Sequence, residues 1–260
     1  SWRLRRACMA RAARIAVPMA FEHSVMCGAQ IASTRIVAPL GTVSIAANSL
    51  AVTAESLCYM PGYGIATAAT TLVGQSIGAG RRDLARRYAR LAVLLAVMVM
   101  TGMALLMFFL APLIFSLLTP DAAVQQLGVR VLRIEVFAEP LYAVSIAAAG
   151  AMRGAGDTLI PSILNLISMW GVRISAAAFL APRLGLAGVW LAMCLELCVR
   201  GVLFLARLLK EGWLAQSLSE HEAKRAAGPN PGRNFRVFRF SDFRWTRCDS
   251  LSPRPACSGP

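Results

Sequence analysis

The sequence contains few charged residues and few histidines for its length. Of its 260 residues, 15% are charged and 2 are histidines, whereas soluble domains carry about 25% charged residues. Hydrophobic residues make up 57% of the chain. A soluble core cannot cover that much apolar surface, so the composition argues against a soluble domain and predicts that lipid is the solvent.

The sequence also lacks the motifs of enzymes, metal sites and nucleotide sites. Its 7 cysteines include no C-x-x-C pair, and no histidine stands at metal-ligand spacing from any of them. The glycine-rich residues 74–80 lack the Lys-Ser/Thr of a phosphate-binding loop. We therefore expect no enzymatic activity, no bound metal and no cofactor.

The basic residues are confined to the gaps between apolar runs. The net charge is +14, but the arginines cluster in residues 1–14, 81–90 and beyond 215 instead of forming a stripe on a globular domain. This distribution argues against a nucleic-acid partner. It is typical of cytoplasmic segments that face anionic lipid.

Six apolar segments have the length that a bilayer crossing requires, and we predict an all-α membrane protein with six transmembrane helices. We divide the chain into a basic cytoplasmic segment (1–14), a six-helix transmembrane lobe (15–212) and a polar tail (213–260) that is either disordered or an artefact of the gene model. In the second segment, Pro61 and Gly62 are expected to break the helix. The six predicted spans are 15–37, 43–73, 91–118, 122–150, 158–182 and 184–209.

Charged residues within the spans are candidate functional groups, because each costs about 2.5 to 3.5 kcal/mol at the bilayer centre. Glu22, four residues after Pro18, is the first candidate for an ion or proton site. The alternative for Glu22 is a protonated glutamate with a structural hydrogen bond. Gln30 lies further along the same segment and is a candidate for lining a cavity.

A second acidic pair lies in the fourth span. Glu135 and Glu139 fall at i and i+4, with Tyr142 at i+7, so one continuous helix would present all three on one face. Two neighbouring carboxyls favour a shared proton or a bound cation. The alternative is that both glutamates form salt bridges to other helices. In the last two spans, Arg173 and Glu196 are predicted to pair and to hold the helices together.

Two glycine motifs follow spans at the side predicted to be cytoplasmic. V-G-Q-S-I-G-A-G occupies residues 73–80, and R-G-A-G-D-T occupies residues 153–158. Glycine tolerates the backbone conformations that end a helix, and an aspartate in such a turn either caps the next helix or pairs with an arginine. We predict structural or gating roles for Gly74, Gly78, Gly80, Arg153, Gly154, Gly156 and Asp157.

These two motifs, with the spacing from Pro18 to Glu22, resemble the second half of the multidrug and toxic compound extrusion (MATE) family over roughly residues 10–212. The resemblance implies helices seven to twelve of a twelve-helix transporter built from two lobes. It implies efflux of small organic, often cationic, compounds in exchange for sodium ions or protons. The expected partners are membrane lipid and a missing N-terminal lobe.

Two other functions remain open at this stage. The first is a flippase of the same wider superfamily that moves lipid-linked saccharides, which a strongly cationic cavity would favour. The second is a structural or degenerate membrane fragment that transports nothing. In either case we expect an integral protein of a bacterial-type cell membrane, with both ends in the cytoplasm.

The predicted topology can be tested by thiol labelling. In the full-length protein without its native cysteines, single cysteines in segment 78–90 should resist an impermeant thiol reagent added outside intact cells, because the arginine-rich segments stay inside. The same cysteines should react after the cells are permeabilised. Ready labelling in intact cells would reverse the topology.

Overall fold

The structure is a computed structural model that describes residues 6–210 and Trp213. These residues belong to a compact unit covering residues 1–221, and residues 222–260 form a second unit that lies outside the described part of the chain. The prediction of a disordered tail therefore concerns residues that, apart from Trp213, are not described. The described residues are helical and contain no strand, which confirms the all-α fold class.

The described residues form eight α-helices joined by short connections. A turn of 3-10 helix at Ala38–Leu40 links the first two, and a π-helical segment, Ile167–Ile174, joins α6 to α7 in one continuous helix, Leu159–Leu184. The helices are α1 (Arg6–Val37), α2 (Thr42–Gly78), α3 (Arg82–Leu118), α4 (Ala122–Glu135), α5 (Glu139–Gly154), α6 (Leu159–Leu166), α7 (Ser175–Leu184) and α8 (Leu186–Leu209).

Three of these helical stretches are long and apolar enough to cross a membrane: α3, the continuous helix Leu159–Leu184, and α8. Their outer faces expose large apolar side chains; on α3, Phe109 is 75% and Leu117 80% exposed. Water would be a poor solvent for such a face, whereas lipid covers it without cost. The count of six spans remains a prediction.

Small residues allow α2 and α5 to pack with their backbones close together. A Cβ added to Gly150 would collide with the carbonyl of Ala66, and one added to Gly154 with the carbonyl of Thr70. Thr70 Oγ1 also donates a hydrogen bond across this contact to the Gly150 carbonyl, at 2.8 Å. Small-residue contacts of this kind replace the hydrophobic effect as the source of helix association in lipid.

The helix break that the sequence predicted at Pro61 is not formed. Helix α2 continues through Pro61 to Gly78. Proline removes only one intrahelical donor, and membrane helices tolerate that loss where neighbouring groups compensate for it. Gly62 instead provides close contact with α3, because a Cβ there would collide with Met100 Sδ.

The break lies instead in the predicted fourth span, between α4 and α5. Helix α4 ends at Glu135, and the Ala138 amide turns back to donate to the Glu135 carbonyl at 2.7 Å. Pro140 occupies the first turn of α5, where its missing N–H costs nothing, whereas its ring would clash within a continuous helix. The prediction of one helix carrying Glu135 and Glu139 on the same face is therefore wrong.

The helices also extend into segments that the sequence assigned to loops. Helix α1 begins at Arg6, inside the predicted basic segment 1–14, and α3 begins at Arg82, so the predicted loop 78–90 shrinks to three residues. Gly80, at φ +75°, makes that turn in a left-handed conformation that favours glycine.

The contact between α2 and α5 predicts opposite effects for two identical substitutions. Gly150→Ala should lower the midpoint of thermal unfolding of the detergent-purified protein, because its Cβ meets the Ala66 carbonyl. Gly102→Ala on α3 is the matched control: its Cβ meets nothing within 4 Å, and alanine favours the helix by up to about 1 kcal/mol. Equal shifts for both variants would contradict the close contact.

Candidate functional site

A cavity of about 770 Å³ opens among α1, α2, α5, α6, the π-helical segment and α8. Gln30 and Tyr142, the residues predicted to line a cavity, both lie on its wall. Its other polar and ionisable lining residues are Glu22, His23, Cys27, Glu55, Tyr59, Tyr63, Ser145, Arg153, Asn165, Arg173 and Arg200.

Glu22, on α1, lies at the centre of a hydrogen-bonded cluster at this cavity. Its Oε1 accepts from Arg153 Nη2 at 3.1 Å and from Asn165 Nδ2 at 2.8 Å, and its Oε2 accepts from Ser162 Oγ at 2.5 Å. Glu22 is 7% exposed. A guanidinium and two neutral donors fit an ionised carboxylate, because charge-assisted hydrogen bonds compensate its removal from water.

This cluster joins two sequence predictions that were made separately. Glu22 was the candidate for a coupling site, and Arg153 was assigned to a structural or gating turn 131 residues later in the chain. Ser162 and Asn165, on α6, were not predicted. They are ordinary polar residues in an apolar helix, and the only available signal was their spacing of three residues, which places both on one helix face.

A second group of carboxyls lies deeper in the protein, on α2, α4 and α5. Glu55, Glu135 and Glu139 are all buried there. Neither oxygen of Glu135, nor Oε2 of Glu139, accepts a hydrogen bond from a described residue. Glu135 and Glu139 are each 1% exposed. Such a group is stable in a membrane only when a proton or a cation neutralises part of its charge.

The three carboxyls differ in their access to the cavity. Glu55 lines it, whereas Glu135 and Glu139 lie behind its wall. Sequence reasoning identified Glu55 as a charged residue within a span but did not select it as a site. It lies on α2, far in sequence from the acidic pair, so only the packing of α2 against α4 and α5 brings it there.

The predicted ion pair between Arg173 and Glu196 is not formed. Glu196 Oε1 accepts from Ser168 Oγ at 2.5 Å and lies 3.3 Å from Arg200 Nε, one turn along the same helix. Arg173 Nη2 instead contacts Met193 Sδ at 2.8 Å. A partner at i+4 is held nearby by the helix itself, so Arg200 reaches Glu196 without the inter-helix approach that Arg173 would need.

The glycine motifs occupy structural positions around the site. Of the two alternatives for Asp157, the structure shows the arginine pair: Arg207 Nη2 donates to Asp157 Oδ2 at 2.7 Å. Gly156 adopts φ +91° in the turn after α5. A Cβ on Gly74 would lie 3.1 Å from the Gly154 carbonyl oxygen, so the two motifs meet.

The arrangement suits non-covalent binding of a cation. No group of three or more His, Cys, Asp or Glu side chains with metal-binding geometry occurs in the described part of the chain. The cavity instead offers carboxylates and tyrosine rings, with arginines beside them. Carboxylates attract a proton or a metal or organic cation, and aromatic faces add cation–π attraction.

Comparison with known proteins gives a consistent result. The MatE family model matches residues 18–179. The probable multidrug resistance protein NorM of Thermotoga maritima is 26% identical over 83% of this chain and 47% of its own length. The NorM protein of Xanthomonas axonopodis pv. citri is 30% identical over 73% of this chain and 42% of its own. Human multidrug and toxin extrusion protein 1 is 26% identical over 67% of this chain and 31% of its own length. The chain thus spans about half the length of the bacterial relatives.

Solved structures with the same fold include the MATE transporter VcmN of Vibrio cholerae in its bent form, with a TM-score of 0.75 at 16% identity over 82% of this chain and 49% of that one. The MATE transporter ClbM, in complex with Rb⁺, has a TM-score of 0.73 at 23% identity over 79% of this chain and 48% of that one. At these identities the likeness concerns the fold alone.

The Glu196 cluster predicts strong coupling between two charged residues. Arg200→Gln should reduce stability by about 3 to 5 kcal/mol, because it leaves a buried carboxylate without its cation. The double variant Glu196→Gln/Arg200→Gln removes both charges and should be more stable than Arg200→Gln alone. Unfolding of the wild type, the single variants Arg200→Gln and Glu196→Gln, and the double variant in detergent measures this coupling. Additive losses from the two single variants would show that the pair does not interact.

Proposed function

Since this chain belongs to the MATE family, we propose that it forms one lobe of a transporter that exports small organic, often cationic, compounds. It is an integral membrane protein, and its relatives are named for multidrug resistance and extrusion and not for an enzymatic reaction. Because the chain spans about half the length of those bacterial relatives, transport requires a complementary N-terminal lobe. The cavity then lies between two lobes, as in other two-lobe transporters.

The observation that carries this proposal is the group of buried carboxyls on the cavity wall and in the core of the helices that form it. Glu22 and Glu55 line the cavity, and Glu135 and Glu139 are buried behind it. Buried acidic groups are costly in a membrane and mark pathways for protons or cations. An organic cation and a small coupling cation would both be attracted to them.

The coupling proposal is exchange by alternating access. An entering sodium ion or proton and a departing compound bind most tightly to different conformations, and each shifts the equilibrium by its differential affinity for the two states. We assign ion or proton coupling to Glu22, Glu135 and Glu139, and substrate contact to Gln30 and Tyr142 on the cavity wall. No tightly bound cofactor is needed for this mechanism.

The proposed topology has six membrane crossings and both ends in the cytoplasm. Among the described residues, α3, the continuous helix Leu159–Leu184 and α8 are the three stretches that are long and apolar enough to cross a membrane. Helices α1, α2 and the broken pair α4–α5 supply the other three crossings. The arginine-rich turn before α3 then faces the cytoplasm of a bacterial-type cell.

The flippase alternative depends on a strongly cationic cavity. Three arginines line it, namely Arg153, Arg173 and Arg200. Arg153 is paired with Glu22 and Arg200 with Glu196, so most of this positive charge is compensated. The balance of charges favours cation export over recognition of an anionic lipid-linked saccharide.

The test is ion-dependent efflux by the full-length protein, reconstituted in vesicles with sodium and pH varied separately. Glu22→Gln should abolish the ion dependence, because glutamine keeps the size and hydrogen bonding of the side chain but does not titrate or attract a cation. Membrane expression should stay normal.

Asp157→Asn is the matched control for this substitution. It breaks a carboxylate–arginine pair of similar burial that does not line the cavity, and it should leave the ion dependence unchanged. Full ion-coupled efflux by Glu22→Gln would show that Glu22 is not the coupling site, and the coupling role would then be assigned to Glu135 and Glu139. Export of lipid-linked saccharides without efflux of cations would support the flippase.

A further inference from the structure

We propose that Arg153 acts as a tethered cation at Glu22. In the conformation seen here, its guanidinium occupies the position on the carboxylate that a coupling cation, a proton or a cationic substrate would take. Binding at Glu22 therefore requires Arg153 to leave. This inference rests on the proposed coupling role of Glu22 and adds a residue that controls access to it.

The geometry leaves no free position on the Glu22 carboxylate. Arg153 Nη2 lies 3.1 Å from Oε1 and 3.4 Å from Oε2, so it spans both oxygens. Asn165 and Ser162 take up one further position on each oxygen. Glu22 is 7% exposed, so water does not supply further hydrogen bonds to its carboxylate. Another cation can enter only by displacing a donor, and Arg153 is the donor that carries charge.

Arg153 is placed so that it can leave. Its side chain remains 28% exposed while its partner's is 9% exposed, and it lines the cavity into which it would move. Its Nε meets no acceptor among the described residues. Glu22 thus provides the carboxylate contact that holds the guanidinium, and the donors Ser162 and Asn165 remain on the carboxylate when Arg153 moves away.

The other charged groups around the cavity determine what competes with Arg153 for Glu22. Glu55 is the second carboxylate on the cavity wall. Arg200 is engaged by Glu196 and Arg173 contacts Met193, so neither arginine competes directly for Glu22. His23, next to Glu22 on α1, also lines the cavity. A state with Arg153 on Glu22 and a state with Arg153 withdrawn into the cavity would present two charge patterns to a substrate.

A tethered competitor links ion binding to conformation. Because the guanidinium is attached to the protein, its effective concentration at Glu22 is high and does not depend on the solution. The apparent affinity for an external cation is reduced by the fraction of protein in which Arg153 occupies the site. A conformational change that withdraws the end of α5 would therefore raise the cation affinity of Glu22.

The experiment measures cation binding to the purified full-length protein in detergent through its thermal stability. The midpoint of unfolding is followed against sodium chloride at constant ionic strength with potassium chloride, and separately against pH without sodium. A cation that binds the folded state raises the unfolding temperature, and the dependence on concentration reports affinity. The variants are Arg153→Gln, Arg153→Lys, Glu22→Gln and the control Arg207→Gln.

We expect Arg153→Gln to strengthen binding of the active cation at least about tenfold. That result appears as a tenfold lower half-saturating sodium concentration, or as a proton-binding midpoint about one pH unit higher. Lysine offers a point charge instead of a planar fork, so Arg153→Lys should show a smaller shift in the same direction. Arg207→Gln breaks the Asp157 pair outside the cavity and should leave both titrations unchanged.

The outcomes separate this proposal from the proposed function. If Glu22→Gln abolishes the cation response but Arg153→Gln leaves the wild-type midpoint, Glu22 is the site and the tethered-cation role is wrong. If Glu22→Gln keeps the wild-type response, both the coupling role of Glu22 and this proposal are wrong. A purely structural pair would change the unfolding temperature of the Arg153 variants without changing the binding midpoint. Should Arg153→Gln not fold, an unchanged midpoint for Arg153→Lys overturns the proposal.

Discussion

The cost of an uncompensated charge in a low-dielectric interior governs the arrangement of this protein. Glu22 and Asp157 pair with Arg153 and Arg207, which come from distant parts of the chain, and Glu196 pairs with Arg200 one turn along the same helix. The pairs to Arg153 and Arg207 cross 131 and 50 residues of sequence. They therefore tie distant helices together at specific positions, which apolar contacts between alanines and leucines do not do.

The deep carboxyls follow the same constraint in a different way. Glu135 and Glu139 gain no described hydrogen-bond donor for three of their four oxygens, although both are fully enclosed. A purely structural site would be expected to satisfy them. Glu135 ends α4 and Glu139 begins α5, so the two buried charges flank the interruption at residues 136–138, a local departure from regular helix. The π-helical segment Ile167–Ile174, which contributes Met169 and Arg173 to the cavity wall, forms a second such departure. Irregular backbone in membrane helices is concentrated at functional cavities.

Packing between small residues makes room for this polar interior. The approach of α5 to α2 through Gly150 and Gly154 brings Arg153 to the edge of the cavity. The same helix carries Glu139 at its start and Tyr142 one turn later. Helix α5 thus links the two charged clusters mechanically, so a movement of α5 relative to α2 would alter both.

Composition and hydropathy alone determined that this is a helical membrane protein. The proportions of apolar and charged residues decide whether a chain is stable in water or in lipid, and they do not depend on which residues are in contact. The glycine motifs and the spacing from Pro18 to Glu22 were sufficient to identify the family. Burial costs also allowed Glu22, Glu135 and Glu139 to be selected as residues whose charge requires compensation.

The partners of Glu22 were decided by tertiary structure, because Arg153, Ser162 and Asn165 meet it only after α1, α5 and α6 pack. The pair of Glu196 with Arg200 is local and follows from the i+4 spacing on one helix, whereas the packing of two helices decided that Arg173 does not reach Glu196. Periodicity placed Glu135 and Glu139 on one helix face because it assumes a regular helix, and the chemistry of proline placed a break at Pro61. In the fold, α2 is continuous through Pro61 and the break lies at residues 136–138, just before Pro140, which costs no hydrogen bond in the first turn of α5.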